Sequence, residues 1–309
     1  MKICFIDAKI FLDKPELLDP LRPLGEIEAY EGIPETADEV VARAGDADVI
    51  AFALMQFTHE MIDRLPNLKI LQFIGTGMWN FVDVEYAQSK GIKVLNIEGY
   101  GSNAVAEFGI SMAMALNRKI AEADRILKAK TWDMEGLCGM EIAGSTVGVA
   151  GTGNIGRMVA EKYLALGADV VACDIFENES LKEKGVRYVT FEEMFSVSDI
   201  VSLHMKVTKD NERCINKALF DLMKPNALLI NVARAELVDT DALYEALAED
   251  RIAGAAIDVY NAEPPSEDDY KLASLKNVIA TPHIGFYTEQ ANDNSIIMSV
   301  DSIVAALNE

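Results

Sequence analysis

The chain has 309 residues, of which half are hydrophobic and a quarter are charged, as in an ordinary globular enzyme. This length exceeds what one hydrophobic core usually fills, so two domains are expected. A formal net charge of −22 argues against nucleic acid or an anionic membrane as a partner. No apolar run approaches the roughly 20 residues of a membrane span.

The first residues, MKICFIDAKIF, predict a β-strand and not a signal peptide. The four cysteines are scattered along the chain without a CxxC pair: Cys4, Cys138, Cys173 and Cys214. This spacing indicates neither a disulfide framework nor a zinc site, and no metal is expected. A reducing, cytoplasmic location fits these features best.

Short β-branched runs alternate with helical patterns along the chain. Nine runs predict strands, at residues 2–7, 48–53, 68–74, 92–97, 146–151, 169–174, 199–204, 227–233 and 254–259. Strand–helix alternation predicts parallel sheets in doubly wound α/β domains. Their central residues are apolar on both faces, as expected for buried parallel strands.

The helical patterns suggest where the chain divides. Residues 101–130 form a long helical stretch without an internal proline, and Ser102 is a candidate N-cap. The last stretch, TEQANDNSIIMSVDSIVAALN, has helical periodicity and can return to the first domain. We therefore expect a discontinuous domain of residues 1–99 plus 286–309, and a second domain of residues 100–285.

The stretch GTGNIG at residues 151–156 satisfies the pattern G-x-G-x-x-G between a predicted strand and a predicted helix. Gly151 allows a tight turn, Gly153 lets the backbone approach a pyrophosphate, and Gly156 lets the helix pack against the strand. The N–H groups at the helix start then face the phosphates. Asp174 follows the next predicted strand, where it can bind a ribose diol and repel a 2′-phosphate. The pattern favours NAD over NADP.

Charged residues follow the ends of three later strands, where doubly wound sheets bind ligands: Arg234, Asp258, Glu263 and His283. Arg234 can hold a carboxylate through its two-pronged guanidinium. His283 can give a proton to a carbonyl oxygen as hydride arrives, and take it back in reverse. Glu263 can orient the imidazole and favour its protonated form. The set suits the chemistry of a 2-oxo acid.

These residues stand in stretches that resemble the D-isomer-specific 2-hydroxyacid dehydrogenase family over nearly the whole chain. The matching stretches include GYGSNAVAEF, GTGNIGRMVA, DIVSLHMKVTKDNERCINKALFDLMKPNALLINVAR, AAIDVYNAEPP and TPHIG. The resemblance implies a flavodoxin-like substrate domain and a Rossmann NAD-binding domain, in a homodimer built around the helical stretch of residues 101–130.

The resemblance also implies roles for single residues. Arg234 resembles the substrate-binding arginine, Glu263 the orienting acid and His283 the acid/base. The positions implied to bind NAD are Gly151, Gly153, Asn154, Ile155, Asp174, Val232, Ala233 and Asp258. His204 stands at a family position beside the cofactor, where a structural role and a cofactor-lining role are both open. The family usually has glycine after the arginine, whereas this chain has Ala235, which would be strained if its φ were positive.

A second Gly-Thr-Gly, at Gly75, Thr76 and Gly77, continues into Met78 and Trp79 and lacks the third glycine. It is not expected to bind a dinucleotide. The resemblance implies that this loop presents backbone N–H groups to the substrate carboxylate, as consecutive N–H groups around glycines do readily. Family members often have aspartate where Trp79 stands.

A further departure concerns Phe52. Phosphoglycerate dehydrogenases resemble this stretch but usually place an arginine near this position, whereas here Phe52 is followed by Ala53, Leu54 and Met55. Burying a phosphate against these residues without a cation would be costly. We infer a non-phosphorylated substrate with an apolar or aromatic side chain, and Phe52 as a substrate contact. The alternative is that these residues are ordinary core and a distant cation binds a phosphate.

Three functions remain open from the sequence. The first, which the sequence favours, is an NAD-dependent oxidoreductase that interconverts a non-phosphorylated 2-oxo acid and its D-2-hydroxy acid. The second is an enzyme of the phosphoglycerate dehydrogenase type. The third is an NAD(H)-sensing binding protein similar to the corepressor branch of the same family.

Overall fold

The computed structural model describes residues 1–8, 12 and 14–308; residues 9–11, 13 and 309 of the expected domain 1–99 plus 286–309 lie outside the described residues. The chain separates into two compact units. Unit 1 comprises Met1–Gly101 and Tyr287–Glu309, and unit 2 comprises Ser102–Phe286. Within the described ranges, no helix is both long and apolar enough to cross a membrane.

Unit 1 is built on a parallel sheet of five strands. They are β1 (Lys2–Phe5), β2 (Glu26–Ala29), β3 (Val49–Phe52), β4 (Ile70–Phe73) and β5 (Lys93–Leu95). Their order across the sheet is β2-β1-β3-β4-β5. This is the flavodoxin-like order, in which the winding direction reverses between β1 and β3.

Four α-helices accompany this sheet: α1 (Ala37–Ala44), α2 (His59–Asp63), α3 (Val84–Ser89) and α12 (Glu289–Leu307). Among the described residues, short 3-10 helices span Pro15–Leu21 and Met78–Asn80. The α-helices begin where a short polar side chain caps the first turn. Thr36, Asp83 and Thr288, for example, each accept a hydrogen bond from the backbone N–H three residues on.

Unit 2 is built on a parallel sheet of seven strands. They are β6 (Thr146–Ala150), β7 (Asp169–Cys173), β8 (Arg187–Tyr188), β9 (Ile200–Leu203), β10 (Leu228–Asn231), β11 (Gly254–Ile257) and β12 (Val278–Ala280). Their order is β12-β11-β10-β9-β6-β7-β8, with the reversal between β6 and β9. Strands β6, β9 and β10 are almost entirely buried, as apolar strands with both faces covered should be.

The helices of unit 2 precede the sheet or connect its strands. They are α4 (Ser102–Asn117), α5 (Ile120–Lys128), α6 (Asn154–Ala165), α7 (Glu179–Glu183), α8 (Phe191–Val197), α9 (Lys217–Phe220), α10 (Thr240–Ala248) and α11 (Glu267–Ala273). A 3-10 helix spans Ala235–Leu237. The prediction of two doubly wound parallel-sheet α/β domains is confirmed.

All nine predicted strands are present, one to three residues shorter than their apolar runs. The nine runs do not include β2, β8 or β12. All three are edge strands, with the sequences EIEA, RY and VIA, and none is fully buried. An edge strand needs no continuous apolar run, because one side of its backbone faces away from the sheet.

The predicted helix over residues 101–130 is wrong in one respect, because the structure breaks it in two. Helix α4 begins at Ser102 and ends at Asn117, and Lys119 adopts a left-handed conformation with φ 48°. The side chain of Asn117 pairs with the backbone of Met140 through two hydrogen bonds of 2.8 and 3.0 Å. This contact with a residue far along the chain fixes the end of α4. Helix α5 buries none of its residues.

Candidate active site

The glycine-rich turn connects β6 to α6. Gly151 has φ 85°, a conformation that a residue with a Cβ rarely adopts. A Cβ at Gly151 would lie 2.9 Å from the backbone of His204, and a Cβ at Gly156 would lie 1.9 Å from the carbonyl oxygen of Gly151. These two glycines are therefore required by the fold of the turn itself.

Gly153 differs from its two neighbours in the motif. A Cβ on Gly153 would meet no protein atom within 4 Å. It is the N-cap of α6, and no side chain caps its N–H groups. An open glycine at an uncapped helix N-terminus is what the close approach of a pyrophosphate requires, so the turn fits a dinucleotide.

Asp174 follows β7 and is tied to the glycine-rich turn. Its Oδ2 accepts hydrogen bonds from the backbone N–H and the hydroxyl of Thr152, and its Oδ1 accepts one from the N–H of Phe176 at 3.2 Å. Tyr188 Oη donates to Thr152 Oγ1 at 2.9 Å, which holds the same turn from β8. A carboxylate offers about four lone-pair positions, so Asp174 keeps room for a ribose hydroxyl.

The other predicted cofactor residues lie at the start of α6 or after the ends of strands. Asn154 and Ile155 open α6, and Val232 and Ala233 follow β10. His204 follows β9, and its Nε2 lies 2.8 Å from Ser202 Oγ. Burial of the His204 ring lowers its pKa to about 3, so it is neutral near pH 7. Its backbone packs against Gly151, which supports the structural role; its role toward the cofactor stays a prediction.

Glu263 and His283 are brought together although they are 20 residues apart. Nδ1 of His283 lies 2.8 Å from both carboxylate oxygens of Glu263. Because a carboxylate accepts hydrogen bonds, we assign a proton to Nδ1, which leaves Nε2 as the nitrogen that can exchange a proton with a substrate. Partial burial alone would raise the pKa of Glu263, but the hydrogen bond from His283 and the charges of His283 and Arg234 hold this pKa below its usual value.

The loop after β12 places His283 in an unusual backbone conformation, with φ 53°. Asp258, buried at the end of β11, accepts hydrogen bonds from Thr281 Oγ1 and from the N–H groups of Ile284 and Gly285. The sequence assigns Asp258 to the cofactor and misses this second task. This task depends on the pairing of β11 with β12, which the sequence does not show.

Arg234 follows β10 in an extended conformation, and its guanidinium donates to the carbonyl oxygen of Ala233 at 2.8 Å. Asn231 Nδ2 donates to the carbonyl oxygen of Arg234 at 2.9 Å and so fixes its backbone. Ala235 begins a 3-10 helix and is not among the residues with positive φ. The strain that a glycine would relieve at this position therefore does not arise.

In unit 1, the loop after β4 carries the second Gly-Thr-Gly. Gly77 has φ 95°, and Met78–Asn80 continue as a 3-10 helix. Thr76 Oγ1 donates to the carbonyl oxygen of Ile97 at 3.1 Å. Among the described residues, none accepts a hydrogen bond from the backbone N–H of Thr76 or Gly77. The side chain of Trp79 is 66 % exposed. This loop can present N–H groups to an anion.

The interpretation of Phe52 as a substrate contact is wrong. Phe52 is the last residue of β3 and is fully buried. Its ring packs edge-on against Phe57, with 4.9 Å between centroids, and against Phe73 at 5.3 Å. Strand β3 lies inside the sheet, so a large apolar side chain at its end joins the core. The exposed side chain of this segment is Leu54.

Comparison with protein families identifies the fold around this site. The family described as D-isomer specific 2-hydroxyacid dehydrogenase, NAD binding domain, matches residues 110–285. This chain belongs to the D-isomer-specific 2-hydroxyacid dehydrogenase family. Membership makes it an NAD-dependent oxidoreductase that acts on the CH–OH group of its donor, with NAD as cofactor. The predictions of family, enzyme class and cofactor are confirmed.

Members of this family that resemble the chain have different names. A hydroxypyruvate reductase of Thermotoga maritima is 36% identical over 97% of this chain and 94% of that protein. A D-3-phosphoglycerate dehydrogenase of Archaeoglobus fulgidus is 35% identical over 96% of this chain, but over only 56% of its own length. The structure of D-lactate dehydrogenase from Escherichia coli superimposes with a TM-score of 0.88 at 28% identity, and covers 100% of this chain and 97% of that one.

Proposed function

We propose that the protein interconverts a non-phosphorylated 2-oxo acid and its D-2-hydroxy acid, with His283 as the acid/base. The observation that carries this proposal is the bond between His283 Nδ1 and Glu263, 2.8 Å long. It lies in the same unit as the dinucleotide turn, at the carboxyl edge of its parallel sheet. Unit 2 carries the residues that we assign to cofactor binding and to proton transfer.

The residues of the site divide the work. The cofactor, when bound, would supply the redox chemistry: NADH donates a hydride to the carbonyl carbon, and NAD accepts it in the reverse reaction. His283 Nε2 gives its proton to the carbonyl oxygen during reduction and removes it from the hydroxyl during oxidation. Glu263 stays ionised because its pKa is held low, and it stabilises the imidazolium while fixing its orientation.

Two sets of residues are candidates to bind the substrate carboxylate. Arg234 follows β10 and carries a guanidinium that binds a carboxylate in two-pronged fashion. In unit 1, the N–H groups of Thr76 and Gly77 flank a left-handed glycine, a geometry that suits an anion. Gly75 supports this loop, since a Cβ there would lie 2.8 Å from the ring of Phe73. Met78 and Trp79, which follow, are candidates to contact the substrate side chain.

The surroundings of these loops support a substrate without a phosphate. Residues 52–59 and 73–82 contain no lysine or arginine. The exposed side chains that follow β3 and β4 include Leu54 and Trp79. A phosphate brought against Leu54 or Trp79 would lose water without gaining a cation from these two segments.

The test is the consumption of NADH with a panel of 2-oxo acids, including phosphohydroxypyruvate. We expect turnover of neutral 2-oxo acids and little with the phosphorylated one. A clear preference for phosphohydroxypyruvate would replace the proposal by the phosphoglycerate dehydrogenase type, and no turnover of any 2-oxo acid would favour an NAD(H)-sensing protein. His283→Ala should lower kcat by about three orders of magnitude while NADH binding remains.

We also propose that the protein is a cytoplasmic homodimer. The segment after α4 exposes large apolar side chains, namely Ile120, Leu127, Trp132 and Met134. Such a concentration on one segment is typical of a surface that another protein covers. Light scattering should give twice the mass of one chain, and Trp132→Asp should shift the protein toward the monomer.

A further inference from the structure

The carboxylate of Asp7 lies at the end of β1 and is almost completely buried. It accepts three hydrogen bonds from consecutive backbone N–H groups of the segment that follows β3. Oδ1 accepts from Ala53 at 2.8 Å, and Oδ2 accepts from Leu54 at 2.7 Å and from Met55 at 2.8 Å. Burial raises the pKa of Asp7 above its usual value, and the three N–H donors offset part of this rise because they stabilise the carboxylate.

The position of this contact in the sheet points to a ligand site. In the order β2-β1-β3-β4-β5, the winding direction reverses between β1 and β3. Sheets of this order bind their ligands at the carboxyl ends of these two strands, and successive N–H groups are a common anion-binding device. Asp7 follows β1, and its three donors follow β3. The anion that these N–H groups bind is therefore the carboxylate of Asp7, a residue of the chain itself.

We propose that Asp7 is a built-in anion that fills this switch-point site and thereby makes unit 1 select 2-oxo acids whose side chain carries no negative charge. The inference rests on the proposed function and adds a positioning residue to it. Asp7 acts through the backbone of Ala53–Met55, and no contact between Asp7 and the substrate is required.

Two consequences follow for this surface. The first is shape: Ala53 and Met55 point inward and are buried, while Leu54 is held outward with 43 % of its surface exposed. The second is charge: the three N–H groups that could bind a second substrate anion are already used, and a fixed negative charge lies behind them. An anionic side chain is repelled, and an apolar one meets Leu54.

The experiment compares NADH consumption with 2-oxohexanoate and with 2-oxoglutarate, which are similar in length and differ in the charge of the far end. The wild-type protein should prefer the neutral substrate. Asp7→Asn keeps the side-chain volume but removes the charge and replaces one acceptor by a donor. We expect its kcat/KM for 2-oxohexanoate to fall about tenfold through KM, and the ratio for 2-oxoglutarate over 2-oxohexanoate to rise about tenfold.

Asp48→Asn is the matched control. Asp48 also accepts a backbone hydrogen bond, from Lys2 N at 3.0 Å, but it precedes β3 and lies at the opposite end of the sheet. It should lower stability without changing the ratio between the two substrates. Asp7→Ala is a second variant, which removes the carboxylate and leaves a space. Added formate should occupy this space, accept hydrogen bonds from the same N–H groups and restore the KM for 2-oxohexanoate.

Several results would overturn the inference: a wild-type preference for 2-oxoglutarate, an unchanged substrate ratio in Asp7→Asn, or a ratio that Asp48→Asn changes equally. Failure of the proposed function looks different, since no 2-oxo acid would then react with the wild-type protein. In that case the role of Asp7 is tested by hydrogen exchange of the backbone amides. Asp7→Asn should speed exchange at Ala53, Leu54 and Met55 while Asp48→Asn leaves it unchanged, and equal exchange in both would reject the role of Asp7.

Discussion

Asp258 holds the chain on both sides of His283. Its Oδ1 accepts hydrogen bonds from Thr281 Oγ1 at 2.6 Å and from Ile284 N at 3.0 Å, and its Oδ2 accepts one from Gly285 N at 2.8 Å. His283 itself has φ 53°, a conformation that costs energy for a residue other than glycine. Such a conformation persists only where neighbouring contacts impose it, and Asp258 supplies three of these contacts.

Asp258→Asn should therefore impair the proton transfer that we assign to His283. The amide can replace some acceptors but not all three, so the imidazole loses its fixed position and we expect kcat to fall about 10- to 100-fold. The measurement is kcat together with the Kd of NADH. If NADH binding weakens while kcat stays normal, Asp258 serves the cofactor alone. Asp269→Asn, which removes another buried carboxylate of unit 2, should lower the melting temperature without this loss.

Glu263→Gln should change the pH dependence of the reaction. The pKa of Glu263 lies below its ordinary value of 4.5, so its negative charge is present above that pH and is lost only as the pH falls through the lowered value. Without this charge the imidazolium is less stable. We expect the alkaline limb of the reduction profile to move about one unit toward lower pH.

The control for Glu263→Gln is Glu267→Gln, which removes an exposed carboxylate from the first turn of α11. This variant should keep the wild-type profile. A Glu263→Gln profile that lowers kcat without moving along the pH axis would mean that Glu263 only orients the ring.

The sequence predicts the strands because each central strand is apolar on both faces, and it predicts the pair of Glu263 and His283 because both follow strand ends. It does not predict the break at Lys119, since this depends on Asn117 meeting Met140. It also misplaces Phe52, because the neighbours of a strand decide which side chains are buried. The second task of Asp258 is missed for the same reason, since it depends on contacts across more than 20 residues.

The motif glycines should respond differently to the same substitution. In Gly151→Ala the new Cβ meets the backbone of His204 at 2.9 Å and φ is 85°, so we expect a loss of about 3 kcal/mol in the free energy of unfolding. In Gly153→Ala the Cβ meets no protein atom within 4 Å, so stability should change by about 0.5 kcal/mol or less.

The affinity for NADH should distinguish the two variants in the opposite way. Among correctly folded molecules, Gly153→Ala should bind NADH more weakly than Gly151→Ala. We expect the Kd of NADH to rise at least about tenfold in Gly153→Ala, because the methyl group occupies the approach of the pyrophosphate. Calorimetry and a fluorescence titration measure the two quantities. Normal NADH affinity in Gly153→Ala would remove Gly153 from the cofactor site.

Asp174→Asn tests the preference for NAD. The amide oxygen can still accept the hydrogen bonds from Thr152, so the turn should keep its shape, but the charge that repels a 2′-phosphate is gone. We expect the ratio of kcat/KM with NADPH to that with NADH to rise about tenfold. An unchanged ratio would show that Asp174 does not face the ribose.

His204→Gln should make the protein less sensitive to acid. Burial lowers the pKa of His204 from 6.5 to about 3, so between these values only the unfolded chain takes up the proton. The contribution of neutral His204 to the free energy of unfolding is therefore fully present above pH 6.5 and is lost as the pH falls toward 3. Glutamine places an amide where Nε2 meets Ser202 Oγ and does not titrate.

Urea unfolding at pH 7 and pH 4.5 measures this difference. Because the residue as a whole is only partly buried, we expect the wild type to lose on the order of 1–2 kcal/mol more than His204→Gln between these pH values. His59→Gln, which replaces a histidine that is 54% exposed, is the control and should follow the wild type. Equal acid sensitivity of His204→Gln and the wild type would mean that His204 titrates as an ordinary histidine.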